Sequence, residues 1–368
     1  MNDTLTRFCL HLALTPGVGA VSFRSLLEHF GSAERALGAS ASELAEVPGF
    51  GAKRADEVAR ARDAIDVRPE MELAARHGVA IAAFGSPAYP VALTYLAAPP
   101  PVLYIRGTMV PEDARAMAIV GSRRCSLYGQ EQAERFGAGL GQSGFTVVSG
   151  LARGIDIRAH MGALASGGRT VAVLGNGLAS VYPPEHEARA REIVERGALV
   201  SEFPMGMLPS PENFPRRNRV ISGLSLGVLV VEAGQRSGAL ITASIAAEQG
   251  KEVFALPGRV DTPFTVGTHK LIQDGAKLVH SLQDILDEFA ALRLPAAAES
   301  GQATLPLGPA LDPQEEAILG SLDVDPVTAD DLAERAGLPV AAVTANLTLL
   351  ELKGLVRSVP GPRYVRRT

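Results

Sequence analysis

Glycine- and arginine-bearing strings recur along the middle of the chain, and the chemistry they suit is anion capture. Val120-Gly121-Ser122-Arg123-Arg124 closes one apolar run. Glycine lets backbone approach an anion, serine offers a hydroxyl, and a following helix supplies N–H groups at its N-terminus. Arg123 can fork onto a phosphate, and Arg124 doubles the charge. Ser149-Gly-Leu-Ala-Arg-Gly-Ile-Asp156 places Arg153 between two glycines. Asp156 is expected at a helix N-terminus, as a cap that could pair with Arg153. His160, one turn on, is expected to pack or cap. In Leu174-Gly-Asn-Gly177, Asn176 suits a turn and could also face a ligand.

The densest signal is Asn213-Phe-Pro-Arg-Arg-Asn-Arg219. Arg216, Arg217, Asn218 and Arg219 fall in the first turns of a helix, where arginine opposes the macrodipole. A bound polyanion would offset that cost, and so would carboxylates such as Glu232. At helical spacing Arg216 and Arg219 lie together while Arg217 diverges. Phe214 could stack on a base or pack in the core. Either the arginines meet phosphate or some of them pair internally. Glu232-Ala-Gly-Gln-Arg-Ser-Gly-Ala-Leu-Ile-Thr242 then opens another helix, with Gly234, Ser237 and Gly238 as a second anion cradle. Lys251 and Arg259 add positive charge after it. No GxGxxG appears, and no acidic residue follows the second strand to grip a ribose, which argues against a dinucleotide. No Ser-His-Asp set, paired carboxylates or metal cluster stands out, so no catalytic residue, cofactor or metal is expected.

These loops need a scaffold. Short apolar, β-branched runs at 116–121, 145–150, 170–175, 198–203, 227–233 and 252–258 read as strands buried on both faces. Helical patterns lie between them, at 130–140, 155–165, 185–195, 213–224 and 239–248. Such alternation predicts a Rossmann-like α/β fold with a doubly wound, mostly parallel sheet, whose ligand lies at the carboxyl ends of its strands. The glycine-bearing loops all fall there.

Bulk composition bounds the rest. The 368 residues suffice for two or three domains, and 46% apolar against 20% charged residues implies a sizeable core. The net charge of −5 means that any nucleic-acid contact must come from local clusters. Aromatic residues make up 5% of the chain and tryptophan is absent, which argues against a wide stacking platform. Two distant cysteines, Cys9 and Cys125, form neither a disulfide framework nor a zinc site. The opening residues lack the pattern of a secretory leader, and no apolar stretch approaches the ~20 residues of a membrane span. A cytoplasmic protein without membrane contact is expected.

Four segments are expected along the chain. Residues 1–68 form a small helical domain with a near-repeat, Leu14–Phe30 and Glu46–Arg62, in which Pro-Gly-apolar-Gly precedes an amphipathic helix. The pair resembles helix-hairpin-helix units, with Lys53 and Arg54 where phosphate contacts would sit. Structure or protein contact is the alternative. Residues 69–290 form the Rossmann-like domain, and 291–310, rich in Ala, Pro and Gly, read as a linker. Residues 311–368 suggest a winged helix with its turn at Gly337-Leu-Pro339. Its second helix carries Lys353 as its one base, while Arg357, Arg363, Arg366 and Arg367 come at the far end. That distribution suits protein contact or a weak DNA role better than sequence reading.

VGSR, SGLARGID, LGNG, YPPEH, SEFP, FPRRNRVISGLS, VVEA, SGALITA, FALPG and GTHKLIQDGA, in that order, resemble the DprA/Smf family of DNA-processing proteins. The resemblance covers roughly residues 80–280. It implies a homodimer that binds and protects incoming single-stranded DNA and loads a RecA-type recombinase during natural transformation. Another single-strand-binding protein would be a further partner. It also implies DNA contacts at Arg123 and Phe214, and dimer or recombinase contact near His269 and Leu271. A second reading is an enzyme: the same branch of folds is similar to phosphoribohydrolases of nucleoside monophosphates. Those carry PGGxGTxxE at the loop equivalent to GQRSGALITA, and the glutamate is missing here.

Overall fold

The computed structural model describes residues 2–289, 312–322, 326–352, 355–359 and 363–366. The expected linker 291–310, Lys353 and Arg367 lie outside the described residues. The chain divides into two compact units, Met1–Ala297 and Ala298–Thr368.

The first unit is built on a nine-stranded sheet. Its strands are β1 (Val79–Ala83), β2 (Val102–Gly107), β3 (Ala116–Val120), β4 (Thr146–Ser149), β5 (Thr170–Val173), β6 (Ala198–Ser201), β7 (Gly227–Val230), β8 (Glu252–Ala255) and β9 (Lys277–Leu278). They lie in the order β1-β2-β6-β5-β4-β3-β7-β8-β9. All neighbours from β6 to β9 are parallel, whereas β1 and β2 join antiparallel at one edge. The six expected strands are present and the sheet is mostly parallel, as the unbroken apolar runs required. The antiparallel pair β1–β2 adds to that expectation.

The topology locates the ligand crevice. From β3 the chain winds outward through β4, β5 and β6, then returns to place β7 on the other side of β3. The winding direction reverses between β3 and β7, and loops at their carboxyl ends diverge to leave a crevice. Both faces of these central strands are buried. Ala118 and Val120 of β3, with Val228 and Val230 of β7, enter one core. Met117, Ile119 and Leu229 enter another on the opposite face. Helices Leu127–Gln142, Ile155–Ala165, Glu187–Arg196, Asn213–Gly223 and Gly238–Glu248 cover the sheet.

The N-terminal helices share the sheet's core rather than closing one of their own. Leu10, Phe23, Leu26 and Leu44 join Val79, Tyr104, Ala172 and Leu199 in one apolar cluster. Glu70 also accepts the Met205 N–H at 2.6 Å. The two Pro-Gly hairpins precede helices Ala20–Phe30 and Gly51–Asp63. Arg54, expected at a phosphate, instead ties them together: its guanidinium donates to the carbonyls of Gly49 and Gly17 at 2.8 and 2.9 Å. Lys53 stays exposed.

The second unit is a winged helix. Helices Pro313–Ser321, Ala329–Ala336 and Val340–Leu352 surround a core of Ile318, Leu332, Val343, Leu347 and Val356. Strands β10 (Val327–Thr328), β11 (Val356–Val359) and β12 (Arg363–Arg366) form a small antiparallel sheet in the order β10-β12-β11. The expected turn 337–339 separates the second and third helices. Among the described residues, no helix is long and apolar enough to cross a membrane.

Candidate nucleic-acid interface

The crevice between β3 and β7 holds an open cavity of about 520 Å³. Residues 121–124 form one wall, the turn 234–238 forms the other, and Phe214, Ile221 and Ile241 give it an apolar floor. Two of the loops predicted to hold anions, 121–124 and 234–238, therefore face each other across this cavity.

Each wall has a definite construction. The Ser122 N–H donates to the Glu232 carbonyl at 2.8 Å, which fastens the first loop to the end of β7. The Ser122 hydroxyl, expected to face a phosphate, is used inside the loop instead, donating to the Arg124 carbonyl at 2.8 Å. Arg123 and Arg124 are exposed. The Arg123 guanidinium lies over the Phe214 ring, 4.6 Å from its centroid, so an aromatic face and an exposed cation form one unit. Phe214 also lies 6.1 Å from Tyr182. Gly175 lets it sit there, because a Cβ at 175 would come within 2.9 Å of the ring. On the opposite wall Ser237 caps the helix Gly238–Glu248, accepting the Ala239 N–H at 3.3 Å. Gly238 and Gly234 line the cavity.

The arginine-rich helix divides its charges differently from expectation. Arg217 is 4% exposed and serves the interior. It donates to the carbonyls of Gly150 and Val173 at 2.8 and 2.5 Å, and to the Asn218 side chain at 3.1 Å. Burial holds its pKa down at about 10. Arg219 pairs with the buried Glu202 and donates to the Ala98 carbonyl. These two are structural, and the dipole cost is met by Glu202 and strand-end carbonyls, not by Glu232. Arg216 is exposed, over the Phe203 ring at 5.2 Å, and does not line the cavity. Asn218 is buried but lines it.

Other expected residues are held by partners of their own or lie away from this cavity. Asn176 is buried, its amide donating to the Gly177 and Ser180 carbonyls at 3.0 and 2.9 Å. Arg153 pairs with Glu185 at 2.5 Å and not with Asp156. Asp156 lies inside the first turn of its helix, where Gly154 is the cap, and accepts N–H groups of Gly150 and Ala152 at 3.2 and 3.4 Å. Burial pushes its carboxyl pKa up, against the opposing pull of Arg217. Lys251 precedes β8 and so lies at the amino end of a parallel strand, across the sheet from the crevice.

One lining residue escaped the sequence reading. Arg236 is exposed on the turn 234–238, facing the cavity with Gln235. Its signal was available: a lone base between Gly234 and Gly238, at the carboxyl end of the strand where winding reverses. The cavity thus has exposed arginines on both walls, Arg123 and Arg124 on one and Arg236 on the other.

The family model for DNA recombination-mediator protein A matches residues 80–290. The DprA winged helix domain matches 302–362, and a SAM-like helix-hairpin-helix tandem matches 11–62. Protein Smf of Escherichia coli is 46% identical over 288 residues, covering 76% of this chain and 75% of its own length. Protein Smf of Synechocystis is 35% identical, covering 95% of this chain and 96% of its own. The crystal structure of DNA processing protein A from Streptococcus pneumoniae superposes with a TM-score of 0.69 at 33% identity, over 78% of this chain and 99% of that one. A structure of the Helicobacter pylori DNA processing protein A, described for its single-stranded DNA binding mode, aligns with a TM-score of 0.52 at 28% identity, over 58% of this chain and 95% of that one.

Proposed function

Since the chain belongs to the DNA recombination-mediator protein A family, the DprA/Smf proteins, we propose that it binds single-stranded DNA in the crevice between β3 and β7. It protects incoming DNA there and loads a RecA-type recombinase onto it during natural transformation, working as a homodimer. The observation that carries this reading is the pairing of exposed arginines with an aromatic floor: Arg123, Arg124 and Arg236 border a cavity floored by Phe214. Cations on mobile side chains track a phosphate backbone, and one ring stacks any base, so the site suits a single strand without sequence preference. Gly121, Ser122, Gly234, Ser237 and Gly238 shape the two walls.

The crevice suits binding better than catalysis. Asp156 is the carboxylate that lines it, and its acceptor capacity is directed to two backbone N–H groups beside Arg217. Release of free base from a nucleoside monophosphate by the purified protein would reverse this choice. The direct test is a gel shift with single- and double-stranded DNA on wild type and Arg123→Ala. Loss of single-strand retention in a folded variant is the expected result, and full retention removes Arg123 from the site.

A further inference from the structure

Helix Leu127–Gln142 begins directly after the 121–124 wall. In an open parallel sheet the helix after the strand at the switch point aims its first N–H groups into the crevice, and a free nucleotide places its phosphate there. In this chain that position is filled from within. Glu232, two residues past β7, is 1% exposed. One of its carboxylate oxygens accepts the Ser126 N–H at 2.8 Å, and the other accepts the Ser126 hydroxyl at 2.5 Å. Ser126 Oγ in turn accepts the Gly129 N–H at 3.0 Å. The carboxylate lies so close to the first turn that a Cβ at position 129 would stand 2.4 Å from its Oε2. Glycine at 129 is therefore what admits it.

We propose that Glu232 is a tethered stand-in for a nucleotide phosphate and a specificity determinant of the crevice. It closes the helix-terminal position to free nucleotides and leaves phosphate capture to the rim, where Arg123, Arg124 and Arg236 are exposed. A free phosphate would have to displace a carboxylate held by two hydrogen bonds, or sit beside it against like charge. A phosphodiester held by rim arginines needs neither. The inference rests on reading this crevice as a phosphate site, and it explains how a Rossmann-like fold can serve a polynucleotide while refusing a dinucleotide.

The test is calorimetry of inorganic pyrophosphate and of ADP on the full chain as wild type, Glu232→Ala and Glu232→Gln, with oligothymidylate affinity measured in parallel. The glutamine variant keeps the volume and an acceptor for the Ser126 N–H while removing the charge, so it serves if the alanine variant does not fold. The expected result is that pyrophosphate affinity, taken relative to oligothymidylate affinity, rises at least about tenfold in a folded variant, a helix terminus being an anion site once vacated. A merely structural glutamate would yield losses and no gain. An unchanged or lower ratio in folded variants overturns the proposal. Failure of wild type to bind oligothymidylate would instead sink the nucleic-acid reading, and the pyrophosphate affinity of the variants against that of wild type would then decide the role of Glu232 by itself.

Discussion

Arg123→Ala offers the sharpest test of the crevice, because its effect can be worked out before measurement. Arg123, Arg124 and Arg236 are the exposed arginines that line the cavity. Three phosphate contacts on a single strand give a slope of log affinity against log salt of about −2, at about −0.7 per contact. Raising salt fourfold then weakens binding about 20-fold. Removing Arg123 should bring the slope to about −1.4 and the same salt step to about 7-fold. At low salt the variant also loses one charge-assisted contact of about 1.5–3 kcal/mol, so affinity falls by one to two orders of magnitude. Its stability should stay within about 0.5 kcal/mol of wild type, since the side chain is exposed. Fluorescence anisotropy with a labelled oligothymidylate across a salt series measures both quantities. A wild-type slope near zero, or an unchanged slope in the variant, refutes phosphate capture at this site. A wild-type slope near −3.5 would instead draw Arg153 and Arg216 into the contact, at the same increment each.

Three further outcomes follow from the surroundings of the crevice. Arg217→Ala should cost about 2–4 kcal/mol in urea denaturation, because it removes buried hydrogen bonds and leaves the Gly150 and Val173 carbonyls without that donor, whereas the exposed Arg216→Ala should cost less than about 0.5 kcal/mol; equal costs would contradict the division of roles along this helix. Gly175→Ala should displace the Phe214 ring, whose atoms a Cβ there would approach to 2.9 Å, and weaken single-strand binding by about 1–3 kcal/mol; wild-type affinity would remove Phe214 from the contact. His160 is fully buried and burial holds its pKa down at about 3, against 6.5 unfolded, so the folded state resists protonation and stability is lost as pH falls below 6.5. Between pH 7 and pH 5 the loss from this group is about 2 kcal/mol. Urea curves at the two pH values should show that loss in wild type and not in His160→Phe, and an equal pH dependence in both would assign it elsewhere.

The sheet and the loop positions were legible because strand periodicity and glycine placement are local signals. Buried parallel strands must be continuously apolar, and turns at their ends must accept close backbone approach, so the edge on which Gly121, Phe214 and Gly234 converge followed from the chain alone. Which arginine faces solvent did not follow. Helical spacing grouped Arg216 with Arg219 and set Arg217 apart, yet the fold buries Arg217 and holds the half-buried Arg219 in an ion pair. Their partners, the carbonyls of Gly150 and Val173 and the carboxylate of Glu202, are distant in sequence and come together only through the winding of the sheet. Asn176 is different: its amide meets carbonyls in its own turn, an outcome as compatible with glycine-flanked asparagine as ligand contact. Lys251 was assigned by nearness in sequence, although a residue entering a parallel strand lies at the opposite end of the sheet from one leaving it. Arg236 is the converse case, a residue leaving a central strand, marked in the sequence only as the lone base between Gly234 and Gly238.

On the proposed reading, the division among the arginines would let a chain of net charge −5 hold a polyanion. Arg217 and Arg219 are fixed by hydrogen bonds in the interior, so their charge is already committed and does not respond to salt or ligand. Arg217 also lies 6.0 Å from the Phe214 ring centroid. The cations left to respond are on loops, one wall on each side of the crevice, and Glu232 has taken the helix terminus between them. A phosphate arriving there therefore meets flexible guanidinium groups at the rim before any backbone N–H. Such contacts tolerate variation in strand path and base identity, whereas a helix-terminal cradle would demand one fixed phosphate position. Under the proposed function, in which any strand sequence must be accepted, the first arrangement is the favourable one and the second would be a hindrance.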